Sequence, residues 1–191
     1  MLTVIGSIIF GGIDTKKYTG ILEKRPFVPY NVGNVPQFVS HSSQHFQSFA
    51  KEISYLIYMT SIGITKPGED PKLYTISSAD PLGLPVVFDS GSTFSRLPAP
   101  LFNAILDDFP GATLVDPDSR IYQVDCSVGD QPGTVDFGFG DTIIRVPYGE
   151  FIWEAGPDAC ALGVVADTIS ILGGKKIYFS NATDIDVLTA T

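Results

Sequence analysis

VVFDSGSTFSRLP, residues 86–98, is the stretch on which the reading of this chain turns. Three strand-forming residues, Val86, Val87 and Phe88, run directly into Asp89, which heads a turn of small residues, Ser90, Gly91 and Ser92, followed by Thr93. Asp and Ser bond to nearby backbone and Gly accepts dihedrals that other residues avoid, so turns favour all three. A plain turn residue is one reading of Asp89. The other is a working acid: neighbouring hydroxyls and the Gly91 amide can orient a carboxylate and stabilise its charged form. The motif by itself leaves both open.

Outward from this stretch the chain is a series of short strands. Upstream, YLIYMTSIGIT from Tyr55 is rich in strand formers, KPGEDPK (66–72) is a turn, and SADPLGLP is a loop leading into Val86. Downstream, Pro98 and Pro100 precede LFNAILDDF, where Leu101, Ile105 and Phe109 share the face of a short helix with proline in its first turn. RIYQVDC, GTVDFGFG, DTIIRVPYGEFIW and ACALGVV then read as strands broken by Gly-containing turns. Residues 6–30 read as two or three strands of a meander. Residues 31–54 read as a polar insertion, and SILGGKKIYFSNATDIDVLTAT reads as one more short strand and a polar end. With 19 Gly and 14 Pro separating Val/Ile/Phe/Tyr runs in 191 residues, the expectation is one all-β domain with one or two short helices.

Composition excludes several classes of function. Only 17% of residues are charged, against 44% hydrophobic, so a packed interior is expected rather than disorder. The net charge of −9, with no run of Lys or Arg, argues against nucleic acid and against anionic membranes. No segment approaches the roughly 20 apolar residues of a membrane span. The opening MLTVIGSIIFGG lacks a basic n-region and a cleavage site, so no signal peptide is expected in this chain. His41 and His45 have no Glu between them in the zincin position and no obvious third ligand, and no metal or other cofactor is expected. No G-x-S-x-G elbow or phosphate loop is present. For Cys126 and Cys160, a disulfide and a pair of free buried thiols are both open on spacing alone. Asn181-Ala182-Thr183 is the one glycosylation triplet.

Taken together, these segments resemble the C-terminal lobe of the pepsin-like aspartic proteases of fungal type. GSIIFGGIDTKKYTGILEKRPFVP looks like the strands that join the two lobes, and VVFDSGSTFSRLP looks like the second active-site loop, of the form hydrophobic-hydrophobic-Asp-Ser/Thr-Gly-Ser/Thr. YQVDC followed by GTVDFGFGDTIIRVPYGEFI is similar to the run after that loop. Ser170-Ile171-Leu172-Gly173 resembles the element that packs beneath it. The resemblance implies a single lobe over residues 1–191: interlobe strands over 1–30, an insertion over 31–54, a lobe core over 55–173 and an atypical tail over 174–191. It implies a Cys126–Cys160 disulfide, a catalytic Asp89 in a loop of Ser90, Gly91, Ser92 and Thr93, a Ser92 hydroxyl bonding across to the other lobe, and a Gly91 amide facing the carboxylate.

The function it implies is aspartic endopeptidase action on peptide or protein substrates in the secretory pathway, outside the cell or in the vacuole. Two Asp side chains share one proton and activate a water between them. This chain supplies one such loop: in GGIDTKKYTG, Asp14-Thr15 is followed by Lys16 where Gly is needed, and the family's N-terminal lobe is the missing partner. A catalytically inactive β-rich secreted module and a retroviral-type homodimer giving one Asp89 per copy stand as the alternatives.

Overall fold

The computed structural model describes residues 23–25, 56–78, 80–89, 91–115, 118–174 and 185–187. Within them the strands run in chain order as β1 (Glu23–Arg25), β2 (Leu56–Met59), β3 (Ser61–Thr65), β4 (Lys72–Leu73), β5 (Leu84–Phe88) and β6 (Ser95–Leu97). Helix α1 (Ala99–Leu106) follows, then β7 (Thr113–Leu114), β8 (Tyr122–Val124), β9 (Thr134–Phe139) and β10 (Thr142–Pro147). The one-turn helix α2 (Tyr148–Phe151) leads to β11 (Ile152–Gly156), β12 (Ala159–Leu162), β13 (Val164–Ala166), β14 (Ile171–Leu172) and β15 (Ile185–Val187). The fold is all-β, as the turn-rich composition requires. The expected insertion over 31–54, Ser90, Asn181, Asp14, His41 and His45 lie outside the described residues.

Alternation of side chains builds the core. On β3 and β9, Ile62, Ile64, Val135, Phe137 and Phe139 share one face of an antiparallel pair and are buried. β10 pairs with β9 and alternates, with Thr142 buried and Ile143 and Arg145 outside. The helix read from LFNAILDDF is present with Pro100 in its first turn, and it buries Leu101, Phe102 and Ile105. Phe109 reaches the core from the turn after the helix, 5.5 Å from the Tyr148 ring and 6.1 Å from Phe151. Fully buried side chains of this size each stabilise the fold by about 1.5–3 kcal/mol.

Three runs read as single strands are each divided. YLIYMTSIGIT turns at Thr60, because β2 pairs with β5 while β3 pairs with β9 in a different sheet. Thr60 holds that corner: its amide donates to Gly138 O at 2.8 Å and its Oγ1 accepts from the Gly140 amide at 2.9 Å. ACALGVV divides at Gly163, where β12 leaves its sheet and β13 joins β6; a Cβ at Gly163 would lie 2.0 Å from Phe151 O. DTIIRVPYGEFIW is interrupted by α2, since Pro147 has no N–H to extend the ladder and Tyr148 and Phe151 turn inward.

The strands form four sheets, in the orders β1-β15, β10-β9-β3-β4, β11-β12-β8-β7 and β13-β6-β14-β5-β2. The segment read as a polar end contains β15, which pairs antiparallel with β1. Arg25 of β1 donates to Thr142 Oγ1 at 2.5 Å, and its guanidinium lies over Gly140, tying that ribbon to the β9–β10 hairpin. Cys126 and Cys160 are disulfide-bonded, with Cα atoms 5.2 Å apart, joining the turn after β8 to β12. No helix among the described residues is long and apolar enough to cross a membrane.

Candidate active site

The five-stranded sheet places Asp89. β14 lies between β5 and β6, parallel to β5 and antiparallel to β6. Because β5 and β6 are consecutive in sequence but separated by β14, the loop joining them has to pass over the end of β14. Asp89 is the first residue of that crossing. Its amide donates to Leu172 O at 2.9 Å, and the Val87 amide donates to Ser170 O at 3.1 Å, so the strand pairing carries on into the loop.

Beneath the crossing sits Gly173, and only glycine fits. A Cβ there would lie 2.7 Å from both Cβ and O of Ser92, and 2.8 Å from Phe94 O. The Gly174 amide donates to Ser92 O at 3.0 Å, fastening the loop to the end of β14. The Ile171-Leu172-Gly173 element thus packs under the Asp89 loop, as the sequence resemblance implies.

Both oxygens of the Asp89 carboxylate are held from within the loop. Oδ1 accepts from the Gly91 amide at 2.9 Å, and Oδ2 accepts from Ser92 Oγ at 2.6 Å. The Ser92 bond first and the Gly91 amide second hold the Asp89 carboxyl below the ordinary carboxylate range, with slight opposition from burial. Glycine at position 91 has a steric reason too, since a Cβ would sit 3.2 Å from Asp89 Oδ1. Asp89 is partly exposed and Thr93 is exposed. The partner of the bond across to another lobe that the resemblance implies for Ser92 lies outside the described residues, and within them the Ser92 hydroxyl is engaged locally. Its single proton is directed to Asp89, three residues back, at a distance the loop itself enforces.

Two aromatic contacts brace the site. Phe88, before Asp89, lies 5.4 Å from the Phe139 ring, and Phe94, after it, meets Trp153 edge-on at 5.1 Å. Among the described residues no group of three His, Cys, Asp or Glu side chains is arranged to hold a metal ion. Sequence reasoning passed over Ser95. It is 4% exposed on the inward face of β6, and its hydroxyl bonds to Gly173. A hydroxyl residue at an inward-pointing position, two before Leu97 in the period-2 pattern, was the signal that could have found it.

An ionised carboxylate pinned by two neutral donors, with one side open to solvent, can accept a proton from water or give one back at acidic pH. Residues 3–180 match the profile of the family described as eukaryotic aspartyl protease. The chain is 29% identical over 185 residues to Secreted aspartic protease 7 of Candida albicans, covering 89% of this chain and 30% of that protein. It is 31% identical over 182 residues to Aspartic proteinase 3 of Saccharomyces cerevisiae (93% and 27% covered) and 30% identical over 188 residues to Candidapepsin-2 of Candida parapsilosis (95% and 37%). The chain therefore spans about a third of the length of these relatives.

Proposed function

This chain belongs to the eukaryotic aspartyl protease family, and we propose that it forms the C-terminal lobe of an aspartic endopeptidase in which Asp89 supplies one of two working carboxylates. The observation that carries the reading is the Asp89 loop itself: a carboxylate at the end of a core strand, bonded at both oxygens, on a crossing closed over Gly173. Aspartic proteases are the standing example of two carboxylates that cannot both ionise at close range and so share a proton. One acts as base on a water; the other protonates the peptide carbonyl and then the leaving amine. The pair titrates as a unit, so its macroscopic pKa values belong to neither residue alone.

The second carboxylate comes from a separate lobe. Asp14-Thr15-Lys16 departs from the Asp-Ser/Thr-Gly pattern, with Lys16 at the place that Gly91 takes after Asp89. In this arrangement residues 1–30 contribute the strands that join the lobes, 31–54 an insertion, 55–173 the lobe core and 174–191 the tail. Peptides or proteins are the substrates. Passage through the secretory pathway fits the Cys126–Cys160 disulfide, the Asn181 triplet and a relative named as secreted.

The test is cleavage of a denatured protein at about pH 4, a value suited to a shared-proton dyad. It is measured for this chain alone and for the chain joined to a first lobe carrying its own Asp-Thr-Gly loop. Activity is expected only in the joined protein, and Asp89→Asn is expected to abolish it. Full activity in the Asp89→Asn form would overturn the assignment. Activity of the isolated chain that rises with the square of its concentration would replace it with the homodimer.

A further inference from the structure

Ser95 is a polar residue in an apolar place. It opens β6, is 4% exposed, and shares the inward face with Leu97, which is 0% exposed. Its hydroxyl donates to Gly173 O at 3.1 Å and accepts from the Gly173 amide at 3.2 Å. Both backbone groups of one residue are thereby paired with a single side chain. The backbone pairing of β14 with β6 is confined to Ile171 and Arg96. Past that point the Ser95 side chain does for Gly173 what a neighbouring backbone would do in a continued ladder. The Ser95 amide donates to Gly163 O at 2.8 Å, so the residue is itself anchored at the β12–β13 corner.

We propose that Ser95 is a positioning residue for Asp89: by clamping Gly173 it fixes the platform on which the Asp89 loop rests and so sets the orientation of the carboxylate. The connection is continuous. Ser95 Oγ holds Gly173; Gly174, the next residue, donates to Ser92 O at 3.0 Å; and Ser92 Oγ donates to Asp89 Oδ2 at 2.6 Å. Removing the Ser95 hydroxyl leaves the amide and carbonyl of Gly173 without it, frees the end of β14, and lets Ser92 drift from the carboxylate. The consequence for catalysis rests on the reading of Asp89 given above, whereas the clamp itself is a property of this chain and is measured on it.

The experiment is a carbon-13 NMR titration of the Asp89 carboxyl in the full chain, assigned with Asp89→Asn, and repeated for Ser95→Ala and Ser95→Thr. Trp153, the single tryptophan of the chain, packs on Phe94 in the same loop and reports loop order by its fluorescence. In Ser95→Ala the Asp89 midpoint is expected to move up toward the ordinary carboxylate range, with a change in Trp153 emission. Ser95→Thr, which keeps the hydroxyl, is expected to restore both. An unchanged midpoint in folded Ser95→Ala overturns the clamp, as does a Thr variant that behaves like Ala. A measurement on the unaltered chain stands beside these should Ser95→Ala not fold: the Gly173 amide is expected to be protected from hydrogen exchange well beyond the exposed Thr93 amide, and equal exchange also overturns the proposal. Absence of peptidase activity in the unaltered two-lobe protein, with the clamp measurements as expected, would count against the Asp89 reading instead.

Discussion

At the scale of single residues, Asp89 owes its character to bonds made within three positions of itself. Gly91 and Ser92 donate to its two oxygens, and neither donor carries charge. Removing the larger of the two influences has a predictable sign. In Ser92→Ala the Asp89 midpoint moves upward but stays below the ordinary range, because the Gly91 amide remains; a carboxyl NMR titration reads this directly. The folded midpoint lies below the unfolded value of about 3.9. The stability linked to this ion is therefore fully present above that pH and lost as pH falls through the folded midpoint. A downward shift in Ser92→Ala would contradict the geometry. The local character of these bonds is also why the Gly91 contact was legible in DSGS. The Ser92 bond is equally local, three residues from its acceptor.

At the scale of elements, the end of α1 is tied to the β3–β4 hairpin through Asp108. Lys72 Nζ lies 2.6 Å and Lys66 Nζ 3.3 Å from its carboxylate, and Tyr74 donates to it at 2.8 Å. Burial pushes the Asp108 carboxyl up, but Lys72, Tyr74 and Lys66 together outweigh it and hold the group below its ordinary value. Burial and the Asp108 bond push the Tyr74 hydroxyl well up, so it stays a donor at all working pH values. Because the folded pKa of Asp108 is depressed, its contribution is present above the unfolded value of about 3.9 and disappears as pH falls through the folded one. Asp108→Asn is expected to lower the melting temperature at about pH 5, with a cost on the order of 1 kcal/mol because both lysines are largely solvated. The difference from the parent is expected to shrink below about pH 3. A melting difference independent of pH would show that the cluster acts through shape rather than charge. These partners were not legible in the sequence, since Lys66 and Lys72 lie 42 and 36 residues from Asp108.

At the scale of the whole molecule, the Cys126–Cys160 bond closes a loop with a sequence separation of 34, and that loop contains β9, β10, α2 and β11. The chain-entropy relation for a loop of this length gives a stabilisation of about 4 kcal/mol. The double variant Cys126→Ser with Cys160→Ser is expected to unfold at clearly lower denaturant concentration than the parent under oxidising conditions, and to match the parent under reducing ones. Equal midpoints in oxidant would mean that the sheets alone hold that region.

The sequence by itself determined the all-β class, the helix after Pro98, the Asp89 turn and the family, because each depends on patterns only a few residues long: strand alternation, proline in a first helical turn, and side chains bonding their own neighbours. The tertiary structure alone decided where strands change sheets, at Thr60 and Gly163, and which buried hydroxyl supports the loop. Those outcomes depend on what arrives from far along the chain. Gly138 meets Thr60 from 78 positions away, and Gly173 reaches Ser95 across the same separation. A residue's own neighbours in sequence do not encode such meetings; the packing of β14 between β5 and β6 does.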